Sequence, residues 1–251
     1  MNKILTVTLL LALTLGASAQ QQPAGRKQPA KAQKKAASVA VSTKTAQGRP
    51  ARQAADPSAG ILERLKAWDA KLETLKADFT QEVNFKEAGL KQSIEGTLRY
   101  VKPNLLRIEH LKPARQVVVT DKTDIWIYKP EDKQAVRTSW DAWRRMQDQN
   151  FSGILDFGNY SALTVRNEAI VSGGTDGEPF SVKFTPRSGA KYSLTLTLSA
   201  TDYFPLGAEL EVDGTTIRTR LTSADKNQSI DTEIFKFSPP KGVEVLEFKN
   251  K

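Results

Sequence analysis

Apolar and polar positions follow two different periods along this chain. Over residues 58–77, Ile61, Leu62, Leu65, Trp68, Leu72 and Leu75 fall on one face at helical spacing. Glu63, Arg64, Lys66, Asp69, Lys71, Glu73 and Lys76 fill the rest. Ser58 is placed to cap this helix. Further on the period drops to two. Leu90, Ile94, Leu98 and Tyr100 alternate with Lys91, Ser93, Glu95, Thr97 and Arg99. Phe180, Val182 and Phe184 alternate with Ser181, Lys183 and Thr185. The same holds for Tyr192, Leu194, Leu196 and Leu198, and for Leu206, Ala208, Leu210 and Val212. Such alternation marks antiparallel strands wetted on one side. Further strands are expected near 79–85, 105–111, 115–120, 124–129, 134–138, 162–170, 215–223 and 234–237. Turn signals at Lys102-Pro103-Asn104, Asp121-Lys122, Lys129-Pro130, Gly173-Gly174 and Asp213-Gly214 separate them. One stretch breaks the series. Trp140, Trp143, Met146, Phe151, Ile154, Leu155 and Phe157 make residues 140–158 the most apolar and aromatic segment between strands, read as short helices.

A sheet of that many strands has to curl, and its shared apolar face has to be covered. The first helix and the 140–158 segment are the material available. The expected fold is mainly β with a few helices: a strongly curved antiparallel β-barrel of about eleven strands, helices lying across its mouth. Two helical pieces leave an apolar hollow as the default site, and its natural guest is greasy.

Composition narrows the chemistry. The chain has 251 residues, no Cys and one His. Disulfides, thiolate nucleophiles, Cys-ligated metals and multi-His sites drop out together. His110, at a strand end beside Glu109 and Lys112, lacks a local nucleophile and orienting carboxylate, and reads as a surface or capping residue. Glu87, Glu95, Glu109, Glu209 and Glu211 fall mostly on wet strand faces, so a glycosidase-type pair is not expected. The expectation is a protein that is not an enzyme and needs neither metal nor cofactor.

Residues 1–19 read as a secretory signal peptide. Lys3 precedes an apolar run from Ile4 to Leu15, and Ala17-Ser18-Ala19 forms a small-residue cleavage site. Residues 20–57 are rich in Lys, Ala, Gln, Ser and Pro and lack aromatics, which predicts a disordered basic linker with a reach of roughly 30–40 Å. Arg26, Lys27, Lys31, Lys34, Lys35, Lys44, Arg49 and Arg52 against Asp56 place +7 there. Taking that +7 and Lys3 from the formal total of +9 leaves +1 for residues 58–251, a nearly neutral domain for which no nucleic-acid partner is expected. The linker reads as a solvated spacer, with weak attraction to an anionic membrane surface or envelope polymer as the functional alternative.

From residue 75 onward the order of motifs resembles the LolA family of periplasmic carriers of outer-membrane lipoproteins. The resemblance rests on Phe79-Thr80-Gln81, on Gly96-Thr97-Leu98 leading to Lys102-Pro103-Asn104-Leu105-Leu106-Arg107-Ile108, and on Pro113 with Gln116-Val117-Val118-Val119-Thr120-Asp121. It continues through Ile125-Trp126-Ile127-Tyr128-Lys129-Pro130 and ends on Phe235-Lys236-Phe237-Ser238-Pro239-Pro240-Lys241-Gly242-Val243-Glu244-Val245. It covers about residues 60–247 of a 58–251 domain. It implies an unclosed β-barrel with a helical lid and a monomer whose apolar concave face takes lipoprotein acyl chains. It further implies an inner-membrane ABC-type lipoprotein-releasing complex as donor and an outer-membrane lipoprotein receptor as acceptor. In some members an Arg before the turn Pro bonds the lid and handles cargo. Lys102 stands there in this chain, a point charge without a planar fork. Carriage of another lipid remains an alternative. So does a lipoprotein-sensing regulatory module on the same fold, which carries an extra C-terminal domain where this chain ends at Lys251.

Within this picture Leu98, Tyr100, Leu106 and Ile108 are candidates for the acyl-binding wall, their parity matching across the Lys102–Asn104 turn. Trp126 joins them, although Ile125 and Ile127 are apolar too and parity leaves the face of that strand open. Ordinary packed core is the competing reading for all five. Trp143, Met146, Phe151, Ile154 and Leu155 are the lid candidates, filling the hollow when it is empty and moving aside for cargo. Arg99 and Arg107 fall on the outward face, free to meet an acidic partner or simply solvated.

Overall fold

The computed structural model describes residues 57–121, 123–142 and 158–247. The signal peptide, the basic linker up to residue 56 and the five lid candidates all lie outside them. The N-terminal helix predicted over 58–77 is two pieces and shorter than expected: α1, Pro57–Lys66, and α2, Trp68–Lys71. The backbone is already extended at Leu72, and strand β1, Thr74–Phe85, follows. Two periods overlap in the sequence here. Leu72 and Leu75 continue the helical spacing, but Leu75, Ala77 and Phe79 also begin an alternating run. Pairing on both sides of β1 decides for the strand: Leu75 lies opposite Tyr100 on one neighbour and Lys226 on the other.

The remaining strands are β2, Leu90–Val101; β3, Leu105–Lys112; β4, Gln116–Asp121; β5, Asp124–Lys129; and β6, Gln134–Ser139. After helix α3, Tyr160–Arg166, come β7, Asn167–Gly173; β8, Phe180–Pro186; β9, Tyr192–Leu198; β10, Pro205–Val212; β11, Thr215–Lys226; and β12, Glu244–Glu247. They form one sheet in the order β12-β6-β5-β4-β3-β2-β1-β11-β10-β9-β8-β7. Neighbours are antiparallel except for β12 on β6. The two edge strands do not pair, so the curved sheet stays unclosed. The turn at Asp213-Gly214 forms as expected. Both residues take positive φ, 43° and 73°, and make the two-residue hairpin between β10 and β11.

Three expectations are corrected. Residues 162–166, expected as strand, belong to α3, and the strand begins only at Asn167. The stretch 234–237 is not a strand: Thr232–Phe235 form a 3₁₀ turn, and pairing resumes at Glu244. The sheet is apolar on both faces over part of its width. Val117, Val119, Trp126, Tyr128 and Ala135 meet Ile230, Ile234, Phe235, Phe237 and Val243 on the outer face. The C-terminal segment covers this patch, which explains why β5 reads Ile-Trp-Ile-Tyr: both of its faces are roofed. Arg107 helps to anchor the cover, donating to the Ile234 carbonyl at 2.9 Å.

Candidate functional site

The other face of the sheet, called inner here, carries one continuous apolar cluster. Leu75, Ala77, Phe79 and Val83 come from β1, Ile94, Leu98 and Tyr100 from β2, Leu106 and Ile108 from β3, Ile125 and Ile127 from β5, and Leu210 and Val212 from β10. Four of the five wall candidates stand together on it. Leu98 and Tyr100 lie opposite Ile108 and Leu106 in the β2–β3 register, and all four are buried. Trp126 stands apart. It belongs to the outer-face cluster, its ring 5.4 Å from that of Phe237 and beneath the Arg137 guanidinium at 5.3 Å. Strand parity puts Ile125 and Ile127 inward in its place.

Short helices cover one end of this face. Leu72, just past α2, is fully buried in the inner cluster. Trp68 packs both against it and against a second cluster made by Leu65 of α1, Tyr160 and Leu163 of α3, and Val182, Phe184, Leu194, Leu196 and Leu198 of β8 and β9. Trp68 meets Phe204 edge-on with ring centroids 5.0 Å apart, and its indole N–H donates to the Asp202 carbonyl at 3.0 Å. The Lys226 ammonium lies 4.8 Å from the Phe204 ring centroid and bonds the Asp202 carboxylate at 2.8 Å.

Polar fastenings hold these helices in place. The Lys102 ammonium donates to the Asp69 carbonyl at 3.0 Å and to Glu73 Oε1 at 3.2 Å. Lys102 thus contacts α2 and the residue preceding β1 through one carbonyl and one carboxylate. The Asp69 carboxylate accepts from the backbone N–H of Tyr160 and of Ser161, the latter at 2.8 Å, and so caps α3. Asn227 ties the end of α2 to the end of β11, donating to the Lys71 carbonyl at 2.8 Å and accepting from the Glu73 N–H at 2.9 Å. Burial, with the Asp69 carboxylate nearby, pushes the Tyr160 phenol up, so its hydroxyl stays neutral.

His110 is not the surface or capping residue expected. It is 6% exposed, faces inward, and meets Phe79 edge-on at 6.1 Å between ring centroids. Burial pushes its imidazole down to about 4. Gln81 shares this face, also 6% exposed. Both positions were legible as parity: His110 follows Ile108 by two, and Gln81 lies between Phe79 and Val83. The surface reading of His110 rests on its place at a strand end beside Glu109 and Lys112, and parity overrides it. Gly96 makes room for the contact. A Cβ there would lie 2.5 Å from the Glu109 carbonyl oxygen and 2.5 Å from Phe79 Cζ, so the Phe79 ring lies directly over β2 to reach His110.

No group of three or more potential metal ligands occurs among the described residues, nor does any helix there have the length and apolarity to cross a membrane. An unclosed, curved antiparallel sheet with an apolar inner face and a cover of short helices defines the class: an open β-barrel with a helical lid. The family described as "Outer membrane lipoprotein carrier protein LolA" matches residues 70–238. The chain is 30% identical over 190 residues to the outer-membrane lipoprotein carrier protein of Dechloromonas aromatica, covering 75% of this chain and 88% of that protein. The protein of the same name from Chromobacterium violaceum is 29% identical over 209 residues, at 80% and 95% coverage. Among solved structures, an uncharacterized conserved protein from Thermus thermophilus is similar with a TM-score of 0.48 and 13% identity, over 77% of this chain and all of that one. The chain belongs to the LolA family.

Proposed function

We propose that this domain is a periplasmic carrier that takes lipoprotein acyl chains onto the inner face of its sheet and moves them from the inner to the outer membrane. The observation that supports this best is the inner face itself: a continuous apolar surface in an unclosed sheet, beneath short helices fastened at their polar edges. Relatives named as outer-membrane lipoprotein carrier proteins fit the reading, which is one of binding and release rather than catalysis. Leu98, Tyr100, Leu106 and Ile108 form the wall. The lid role falls to Trp143, Met146, Phe151, Ile154 and Leu155, which lie outside the described residues, and Lys102 bonds the cover. The donor is an inner-membrane ABC-type complex and the acceptor an outer-membrane receptor.

Magnitudes favour a cover that yields. Each acyl CH₂ taken out of water contributes about 0.8 kcal/mol, so ten contribute about 8 kcal/mol. The bonds from Lys102 and Asn227 are worth about 1 kcal/mol each. An entering chain replaces the apolar contacts of Trp68 and Leu72 with its own and outweighs those few polar bonds. Photoreactive side chains test this at Leu98 and Leu106 in the wall, at Trp143 and Ile154 in the cover, and at Tyr128 on the outer face. Lipoprotein with labelled acyl chains should crosslink from the first four and not from Tyr128. Intact cargo binding without crosslinks from the wall and cover would overturn the proposal.

A further inference from the structure

The inner face is not uniformly apolar. Four residues along the strands from the Tyr100–Leu106 pair, about 13 Å away, the same face carries His110, and two residues further along, on β1, it carries Gln81. Each is more than nine-tenths buried. The Gln81 amide N–H donates to Thr219 Oγ1 at 2.9 Å on neighbouring β11, which points the other end of the amide away from that bond. Among the described residues, Gln81 Oε1 and His110 Nε2 meet no hydrogen-bond partner. Buried polar atoms are ordinarily paired, and an acceptor oxygen and an imidazole nitrogen left over on one apolar wall need explaining.

We infer that Gln81 and His110 form a polar subsite for an amide group on the bound acyl chain, deep on the inner face and away from α2. The inference rests on the reading of this face as the acyl-chain site. The donor and acceptor inventory selects the chemistry. Gln81 Oε1 can only accept, so its partner must bring an N–H. Neutral imidazole Nε2 in the protonated tautomer donates to a carbonyl. A secondary acyl amide supplies both groups, whereas an acyl ester supplies only acceptors and leaves Gln81 Oε1 unpaired. Lined by Phe79, Val83 and Ile94, this end of the wall otherwise offers apolar contact to the methylenes next to the linkage.

The sign of the expected preference separates this from a plain greasy wall. An amide is costlier to dehydrate than an ester, so a wall without polar partners favours the ester. The experiment measures displacement of dansylated undecanoic acid from the full chain by N-methyldecanamide and by methyl decanoate, in the wild type and in the Gln81→Met and His110→Met variants. The wild type should bind the amide about tenfold more tightly than the ester, and both variants should shrink that ratio severalfold or reverse it. An ester bound as well as or better than the amide by the wild type overturns the subsite, because water or packing then satisfies these atoms. An amide preference that survives in both variants overturns it too. If one variant fails to fold, the other and the wild-type ratio still decide. Failure of the dansylated probe to bind, or of either decanoyl compound to displace it, rejects the acyl-chain site itself and the subsite with it. Equal displacement by both compounds rejects only the subsite.

Discussion

The buried His110 makes stability depend on pH in a way that can be worked through. In the unfolded chain an imidazole titrates near 6.5. In the fold, burial lowers that to about 4. The unfolded state therefore binds the extra proton between these values while the folded state does not. Stability from this group is complete above pH 6.5 and is lost as the pH falls toward 4. Integrating the two titrations gives a loss of about 1.4 kcal/mol by pH 5.5 and about 3 kcal/mol by pH 4. Burial is the cause of the shift, and the residues opposite on the neighbouring strands, Gly96 and Gln116, carry no charge. The assay is urea unfolding followed by tryptophan fluorescence at pH 7, 5.5 and 4, in the wild type and in His110→Met. Surface carboxylates contribute equally to both proteins, so the difference between the two pH profiles isolates the imidazole. The wild type should lose about 3 kcal/mol more than the variant between pH 7 and pH 4. Parallel profiles would refute the reasoning, because they would mean that His110 accepts its proton in the folded protein as readily as in water.

Two further predictions concern the architecture. Gly96→Ala drives a Cβ into the Glu109 carbonyl and the Phe79 ring, and a backbone carbonyl in a paired strand cannot step aside. It should cost about 1–3 kcal/mol in urea unfolding, and a loss under about 0.5 kcal/mol would show that the sheet gives way at that point. Asp69→Ala removes the cap of α3, worth about 1 kcal/mol, so exchange at the Tyr160 and Ser161 amides should accelerate about fivefold at unchanged global stability. Unchanged exchange there would mean that packing of Tyr160 and Leu163, and not the carboxylate, holds the helix start.

Alternation along the chain already specified a long antiparallel sheet and put Leu98, Tyr100, Leu106 and Ile108 on one face, because a strand reverses its side chains at every residue. The spacing of Ile61, Leu62 and Leu65 likewise announced an amphipathic helix, and Asp213-Gly214 a hairpin. Those signals are local: each lies within one element, and no partner is needed to read it. Tertiary partners decided the rest. Leu72 and Leu75 satisfied both periods, and only the ladders to β2 and β11 made a strand of residues 74–77. Trp126 and Ile125 were equally apolar. Which of them faced inward waited on the C-terminal segment that brings Phe235 and Phe237 to the outer face, more than a hundred residues along the chain. His110 carried a polar label in the sequence, yet its neighbours in space are Phe79 and a glycine that lets that ring approach. Burial is a property of what lies across the sheet, and a one-dimensional pattern records only what lies along it.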